Sequence, residues 1–488
     1  MSAERPARPV ALYLGPALAL LIFLLVPEHY SGGTGATLHL DVAGRAVVGI
    51  MAWMALWWLA EPVPLPVTSL LPALLFPLCG IADAEAALAP YADPLIFLFL
   101  GGFLLSNAVQ KWDLHRVFAF RILALTGRDA GRLVAGMMAA TAFISLWLSN
   151  TATAVLMLPV ALSIADRPGV DAHLRKSLVL GVAYGATIGG MGTLIGTPPN
   201  LFVASFLGQH HAYELDFLHW SMFGLPVVAC MLPFTWWVLT RWCFPLGSAH
   251  EIGLAAHQFE SRPLNAGARR TLLVFAGAAA CWMFRALLVE FEIAGLRPLA
   301  ALTDTGIALA AALALFLLGS GARGENGRAP RLLDWEDAKS LPWGTLLLFG
   351  GGLSLAAAIS ATGVDRALGA VLAGVPALPA WMVIAVIAAS VVFVSEIASN
   401  IATAAAMTPL LVAAAPALGL TPATVAVVTG LAASSAYMMP VGTAANALAY
   451  GTGIVRTRDM VRAGFILNLA SIAVITLVAL GLLPRVLP

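Results

Sequence analysis

The chain carries one polar signature twice, each time inside strongly apolar sequence. Ser145-Leu146-Trp147-Leu148-Ser149-Asn150-Thr151-Ala152-Thr153-Ala154 returns as Ser395-Glu396-Ile397-Ala398-Ser399-Asn400-Ile401-Ala402-Thr403-Ala404, and Pro159 returns as Pro409, 250 positions later in each case. Leu98-Phe99, Gly101-Gly102 and Arg116 return as Leu348-Phe349, Gly351-Gly352 and Arg366 at the same separation, so a whole unit is duplicated. Gly196-Thr197-Pro198-Pro199-Asn200 is answered by Gly442-Thr443-Ala444-Ala445-Asn446 at a separation of 246. Hydroxyls and amides have no evident packing purpose in such surroundings, and these clusters mark where function resides.

Composition fixes the setting. With 60% hydrophobic and 10% charged residues and a mean hydropathy of +0.90, the chain falls far below the roughly 25% charge of a soluble globule. It reads as an all-α polytopic membrane protein. A net charge of +1 with scattered Arg and Lys excludes a nucleic-acid partner. Cys79, Cys230, Cys243 and Cys281 lack metal-ligand spacing and read as packing residues. No small-residue cleavage site follows the apolar run from Val10 to Val26, which is read as a retained first span.

Topology follows from span length and the cytoplasmic bias of Arg and Lys. Arg5 and Arg8 place the N-terminus in the cytoplasm, and spans follow near 46–60, 64–80 and 94–110. Lys111, Arg116, Arg121, Arg128 and Arg132 then form a basic segment expected to lie as an amphipathic helix on the inner surface. The apolar piece at about 133–165 is flanked at both ends by basic residues, Arg132 on one side and Arg167, Arg175 and Lys176 on the other. A segment with both ends on one side must turn back. Ser149-Asn150-Thr151 at its midpoint gives the tip of a re-entrant hairpin, tolerable only where it is buried in protein or lines a cavity.

The span at about 177–208 holds Gly196 and the Pro198-Pro199 pair, which removes two backbone donors, so this helix must unwind midway. Spans at 221–240, 271–289 and 301–319 follow, with basic cytoplasmic connectors at 244–269 (Arg262, Arg269) and 320–340 (Arg323, Arg328, Arg331). The second unit starts at 343 and leaves the cytoplasm where the first entered it. Its hairpin, about 379–415, therefore dips from outside, and its broken helix, about 421–453, returns to Arg456, Arg458 and Arg462. About eleven spans and two hairpins result, as an inverted repeat with the C-terminus external. The division is 1–93 N-terminal scaffold helices, 94–243 first repeat, 244–342 connectors and two scaffold helices, and 343–488 second repeat.

Inverted repeats with interrupted helices are the architecture of secondary transporters, with substrate and ions bound at the midplane. A hairpin tip aims free amide donors and the positive end of a helix dipole at one spot, which favours an anion. Carbonyls freed by an unwound helix, with Ser and Asn oxygens, suit a small hard cation such as sodium.

The paired Ser-Asn-Thr tips and Gly-Thr-Pro-Pro-Asn breaks resemble those of the divalent anion/sodium symporters, carriers of di- and tricarboxylates and of sulfate, over residues 40–485. The resemblance implies one sodium among Ser145, Ser149, Asn150 and the Gly196 carbonyl. A second would lie among Ser395, the Ala398 carbonyl, Asn400 and the Gly442 carbonyl. Substrate carboxylates would meet Ser149, Asn150, Thr151, Ser399, Asn400 and Thr443. It further implies an elevator motion of hairpins and broken helices against a scaffold that forms a homodimer. The expected function is sodium-coupled symport of a C4-dicarboxylate such as succinate, malate or fumarate across a bacterial inner membrane. The alternatives are a sodium-independent dicarboxylate exchanger and a sodium/sulfate symporter.

Two positions depart from that pattern. Ile401 stands where Thr is expected, and Ala444-Ala445 replaces the second proline pair. Losing a hydrogen bond to a charged group costs about 1.5–3 kcal/mol, which bears on substrate choice more than on sodium. Small residues such as Gly185 and Gly189 serve close packing in membrane helices. Glu396, an acid at membrane depth, is either functional or an anchor bonded to neighbouring backbone. Asp304 is expected at the interface, and His115, His173, His210, His211 and His219 in solvated connectors. Neither His-Glu-x-x-His nor Gly-x-x-x-x-Gly-Lys occurs, so the chain is read as a carrier and not an enzyme or an ATP-driven pump.

Overall fold

Apolar sequence in lipid must satisfy its backbone internally, and the chain does so almost wholly as helices with side-chain caps at their starts. The computed structural model describes residues 9–31, 37–126, 129–167, 170–211, 213–246, 264–321, 330–372 and 378–486. Arg5, Arg8, Arg128, Arg262, Arg323 and Arg328 lie outside the described residues. The first elements are α1 (Pro9–Leu25), a short antiparallel pair β1 (His29–Ser31) and β2 (Thr37–His39), α2 (Val42–Ala60), α3 (Leu65–Thr68), α4 (Leu71–Leu78) and α5 (Ala84–Leu88). That strand pair departs from a purely helical chain. The stretch expected as one span at 64–80 is split into α3 and α4 by a turn at Ser69–Leu70, since Pro72 has no N–H to continue the helix.

The first unit comprises α6 (Pro94–Lys111), α7 (Leu114–Ala124), α8 (Ala130–Ser145), α9 (Asn150–Ala165), α10 (Ala172–Gly190), α11 (Pro198–His211) and α12 (Phe217–Trp237), with a π-helical turn at Val238–Cys243. Between the units lie α13 (Ala266–Met283), α14 (Arg285–Glu290), α15 (Asp304–Leu317) and α16 (Trp335–Lys339). The second unit repeats the order with α17 (Trp343–Ala361), α18 (Val364–Leu372), α19 (Ala380–Ile397), α20 (Asn400–Ala414), α21 (Pro422–Ala433), α22 (Ala444–Gly451), α23 (Thr457–Gly481) and α24 (Leu483–Val486). Asp41, Asp129, Asp171, Asp216 and Asn265 each accept a backbone N–H in the first turn of the helix they precede. Among the described residues, six helical stretches are long and apolar enough to cross a membrane by length and composition. The 16 residues of α8 span about 24 Å, short of the roughly 30 Å hydrocarbon core, and the turn at 146–149 joins α8 to α9.

Glycine sets how close the helices come. A Cβ on Gly189 would sit 2.3 Å from the Ala142 carbonyl oxygen, and one on Gly185 3.1 Å from that of Met138, so these two glycines dock α10 on α8. The units interlock: α22 packs on α9 and α10, and α11 on α20 and α21. Elsewhere α1 packs on α2, and α15 on α6 and α13.

Three polar clusters tie elements together. Arg285 bridges Asp216 at 2.7 Å and Asp304 at 3.0 Å, while Asp304 also accepts from the Phe217 N–H at 2.8 Å. Asp304 is therefore buried at a three-helix junction at the start of α15. Asp93 accepts from the Leu95 N–H at 2.8 Å, from Ser205 Oγ at 2.7 Å and from Gln209 Nε2, joining the start of α6 to α11. Lys111 pairs with Asp334 and Asp337 at 3.0 and 2.7 Å. His115 is buried, which pulls its pKa down, so the expectation of a solvated ring fails there. His210 stacks on Phe206, and His219 pairs with Asp216.

Candidate functional site

Both tips are built around a serine–asparagine contact. Ser149 ends the turn after α8 and caps α9, its Oγ accepting the Ala152 N–H at 3.3 Å. Ser145 Oγ lies 3.0 Å from Asn150 Oδ1 and 2.7 Å from the Ala186 carbonyl. In the second unit Ser395 Oγ lies 2.8 Å from Asn400 Oδ1 and 2.6 Å from the Ala433 carbonyl. One hydroxyl proton thus serves two acceptors at each tip, leaving both points rich in oxygen. Ala398 turns the second tip in extended backbone, with Ser399 preceding α20.

The breaks are stapled by an asparagine that the tip-centred sequence reading left out of the site. Asn200 Nδ2 donates to the Gly190 and Thr193 carbonyls at 3.1 and 2.8 Å, and Asn446 Nδ2 to those of Ala436 and Met439 at 3.1 and 3.2 Å. Both Asn Oδ1 atoms are buried without a hydrogen-bond partner among the described residues.

Beside the first break is a cradle that a methyl group would fill. A Cβ on Gly196 would lie 2.5 Å from the Gly190 carbonyl oxygen and 2.9 Å from that of Ser145, and one on Gly190 2.2 Å from Asn150 Oδ1 and 3.2 Å from the Gly196 carbonyl oxygen. Ser145, Asn150, Gly190 and Gly196 therefore converge, and Gly190 is a member that sequence reasoning missed. Ser149 caps α9 and also lines the cavity. In the second unit a Cβ on Gly442 would meet the Glu396 carboxylate at 3.3 Å and the Met439 carbonyl oxygen at 3.4 Å. Glu396 itself bonds the backbone of the second break and Asn468 of α23.

A cavity of about 570 Å³ lies in front of these cradles. Ser149, Asn150, Thr151, Ser399, Asn400 and Thr443 all line it, with Ile401 and Gly442. Ser145, Gly196, Ser395 and Ala398 sit behind its wall. Phe103, Ser106, Asn107 and Gln110 of α6 and Ser340 to Pro342 and Thr345 at the start of α17 complete the lining. No Asp, Glu, Lys, Arg or His is among the lining residues. The starts of α9, α11, α20 and α22 are, so four helix N-termini border this space.

Fold and site together define a membrane transporter. Solved structures with the same fold include the Alcanivorax borkumensis YdaH transporter (TM-score 0.60, 14% identity, 97% of each chain covered). Another is Neisseria gonorrhoeae MtrF, described as one of a class of antimetabolite efflux pumps (TM-score 0.62, 15% identity, 97% of this chain and 95% of that one). Residues 55–432 match the citrate transporter family model. The chain is 35% identical to the sodium-dependent dicarboxylate transporter SdcS of Staphylococcus saprophyticus, with 98% of this chain and 92% of the relative aligned. It is equally similar to SdcS of Staphylococcus aureus, at the same coverage. The chain belongs to the citrate transporter family, which is related to the divalent anion/sodium symporters.

Proposed function

We propose that the protein is a sodium-coupled symporter of C4-dicarboxylates such as succinate, malate or fumarate in a bacterial inner membrane. The observation that carries this reading is the cavity without a charged side chain. A dianion entering it meets helix N-termini, hydroxyls and amides, each contributing about 0.3–3 kcal/mol. Full neutralisation then needs cations at the two oxygen-rich cradles, which couples anion binding to sodium. The names of the SdcS relatives give the same pairing of sodium and dicarboxylate.

In this reading the first sodium sits among Ser145, Ser149, Asn150 and the Gly196 carbonyl, with the Gly190 carbonyl added. The second sits among Ser395, Ala398, Asn400 and Gly442. The substrate lies against Ser149, Asn150, Thr151, Ser399, Asn400 and Thr443, all of which face one space. Residues 94–243 and 343–488 form inverted repeats whose hairpins and broken helices slide as an elevator. Residues 1–93 and 244–342 form a scaffold that pairs as a homodimer. The cavity reaches Asn107 and Gln110, near the basic end of α6, so this conformer faces the cytoplasm, with the N-terminus inside and the C-terminus outside.

Proteoliposomes loaded without sodium and given labelled succinate test the reading. Uptake is expected to require an inward sodium gradient. Uptake indifferent to sodium would refute symport, and uptake that requires an internal anion would make the protein an exchanger.

A further inference from the structure

Glu396 holds a charge where the first unit has none. It is 3% exposed, and its carboxylate accepts four donors: the Tyr437 N–H at 2.7 Å, the Met438 N–H at 2.8 Å, the Met439 N–H at 2.8 Å and Asn468 Nδ2 at 2.8 Å. Both oxygens act as acceptors, Oε1 of three bonds and Oε2 of one. Three consecutive backbone donors make an anion-binding concavity of the unwound segment. None of the ion pairs among the described residues includes Glu396. A buried charge satisfied by dipoles but not by a counter-charge gains from a cation beside it. One carboxylate oxygen lies 3.3 Å from where a Cβ of Gly442 would sit, next to the second cradle.

The first unit solves the same position with apolar groups. Position 396 answers 146 (396 − 146 = 250) and 438 answers 192 (438 − 192 = 246). Asn468 answers Val228 (468 − 228 = 240), the separation of Gly464 and Gly224, each of which packs against the backbone of its own break. Around Gly192 a Cβ would meet Leu146 at 2.5 Å and Val228 at 3.1 Å. The Leu146–Val228 pair therefore occupies the place of Glu396–Asn468. The first break closes its own backbone instead, Met191 N–H to Ile188 at 3.2 Å and Gly192 N–H to Gly189 at 2.9 Å. Thr193 Oγ1, at the position of Met439, donates to the Leu146 carbonyl.

We propose that Glu396 is a positioning residue that shapes the second break and sets a fixed negative charge behind the second cation site, making the two cation sites electrostatically unequal. It touches no substrate and does not line the cavity. Its effect is on cation affinity, through a charge a few ångströms away in a site that solvent screens poorly. This assignment rests on the sodium-coupled reading above.

The test is sodium titration of succinate uptake by the full chain in proteoliposomes, comparing wild type with Glu396→Gln and Glu396→Asp and normalising to folded protein. Glu396→Gln keeps an acceptor oxygen and removes the charge. Its half-saturating sodium is expected to rise at least about tenfold, and its sodium cooperativity to fall, while the succinate KM at saturating sodium stays near wild type. Glu396→Asp keeps the charge on a shorter arm, and a smaller rise is expected. A folded Glu396→Gln protein with a wild-type sodium curve and only a lower maximal rate would overturn the proposal. Failure of both variants to fold would make the carboxylate a folding element and overturn it as well. Wild-type uptake indifferent to sodium would instead remove the symport reading, a separate outcome.

Discussion

Gly196→Ala is the sharpest perturbation of the first cation site. The added methyl carbon would lie 2.5 Å from the Gly190 carbonyl oxygen, 2.9 Å from that of Ser145 and 3.0 Å from Gly190 Cα. All three are backbone atoms of packed helices, so the overlap can be relieved only by shifting the break or the tip, at about 1–3 kcal/mol. The methyl also occupies the space in which carbonyl oxygens would meet a cation. Losing one such ligand, at about 1.5–3 kcal/mol, weakens sodium binding by roughly 10- to 150-fold. Sodium titration of succinate uptake reads this directly, with thermal unfolding to show that the variant folds. Gly277→Ala in α13 is the control, since a Cβ there meets nothing within 4 Å, and its stability should stay within about 0.5 kcal/mol of wild type. A folded Gly196→Ala protein with wild-type half-saturating sodium would refute the reasoning.

Three further outcomes are expected. Ile401→Thr places a hydroxyl on the cavity wall where the first tip has Thr151, and should lower the succinate KM by up to about tenfold; competition with sulfate and citrate reads the change in preference, and an unchanged profile sinks the idea. Asp93→Asn and Ser205→Ala should each cost about 1–3 kcal/mol in thermal unfolding and couple by about 0.5–3 kcal/mol in a double-mutant cycle, because they share one buried contact between α6 and α11; simple additivity would deny that contact. Burial pushes the Asp216 carboxyl up, but the His219 N–H and the Arg285 guanidinium outweigh it and hold the group below its ordinary value. With the folded value depressed, the stabilisation is present above about pH 3.9 and is lost as pH falls through the folded value. Asp216→Asn should flatten that acid dependence in unfolding scans and lower stability at neutral pH.

The parts of the site that sequence made legible are those where a residue type conflicts with its surroundings. Asn150 and Asn400 in apolar runs point to tips, and Pro198-Pro199 and Gly442 to breaks, because amides need partners and prolines remove donors. What stayed hidden depends on contacts distant in sequence. Glu396 was visible as an acid at depth, but its partners Tyr437, Met438, Met439 and Asn468 come from the second broken helix and from α23. The Gly190 carbonyl joins the first cradle only because Asn200 folds the break back onto it. The cavity wall at Ser340, Leu341, Pro342 and Thr345 lies in a connector and the start of α17, distant in sequence from both tips and both breaks. Likewise His115 read as solvated because it was placed in a connector, whereas α7 turns it inward.

The central claim is that a cavity without charged side chains binds a dianion only together with sodium. Calorimetric titration of succinate into purified protein, in sodium and in potassium at equal ionic strength, tests it most directly. Saturable binding in sodium and none in potassium is the predicted result, with affinity rising as sodium is raised. Equal affinity in the two salts would contradict the account.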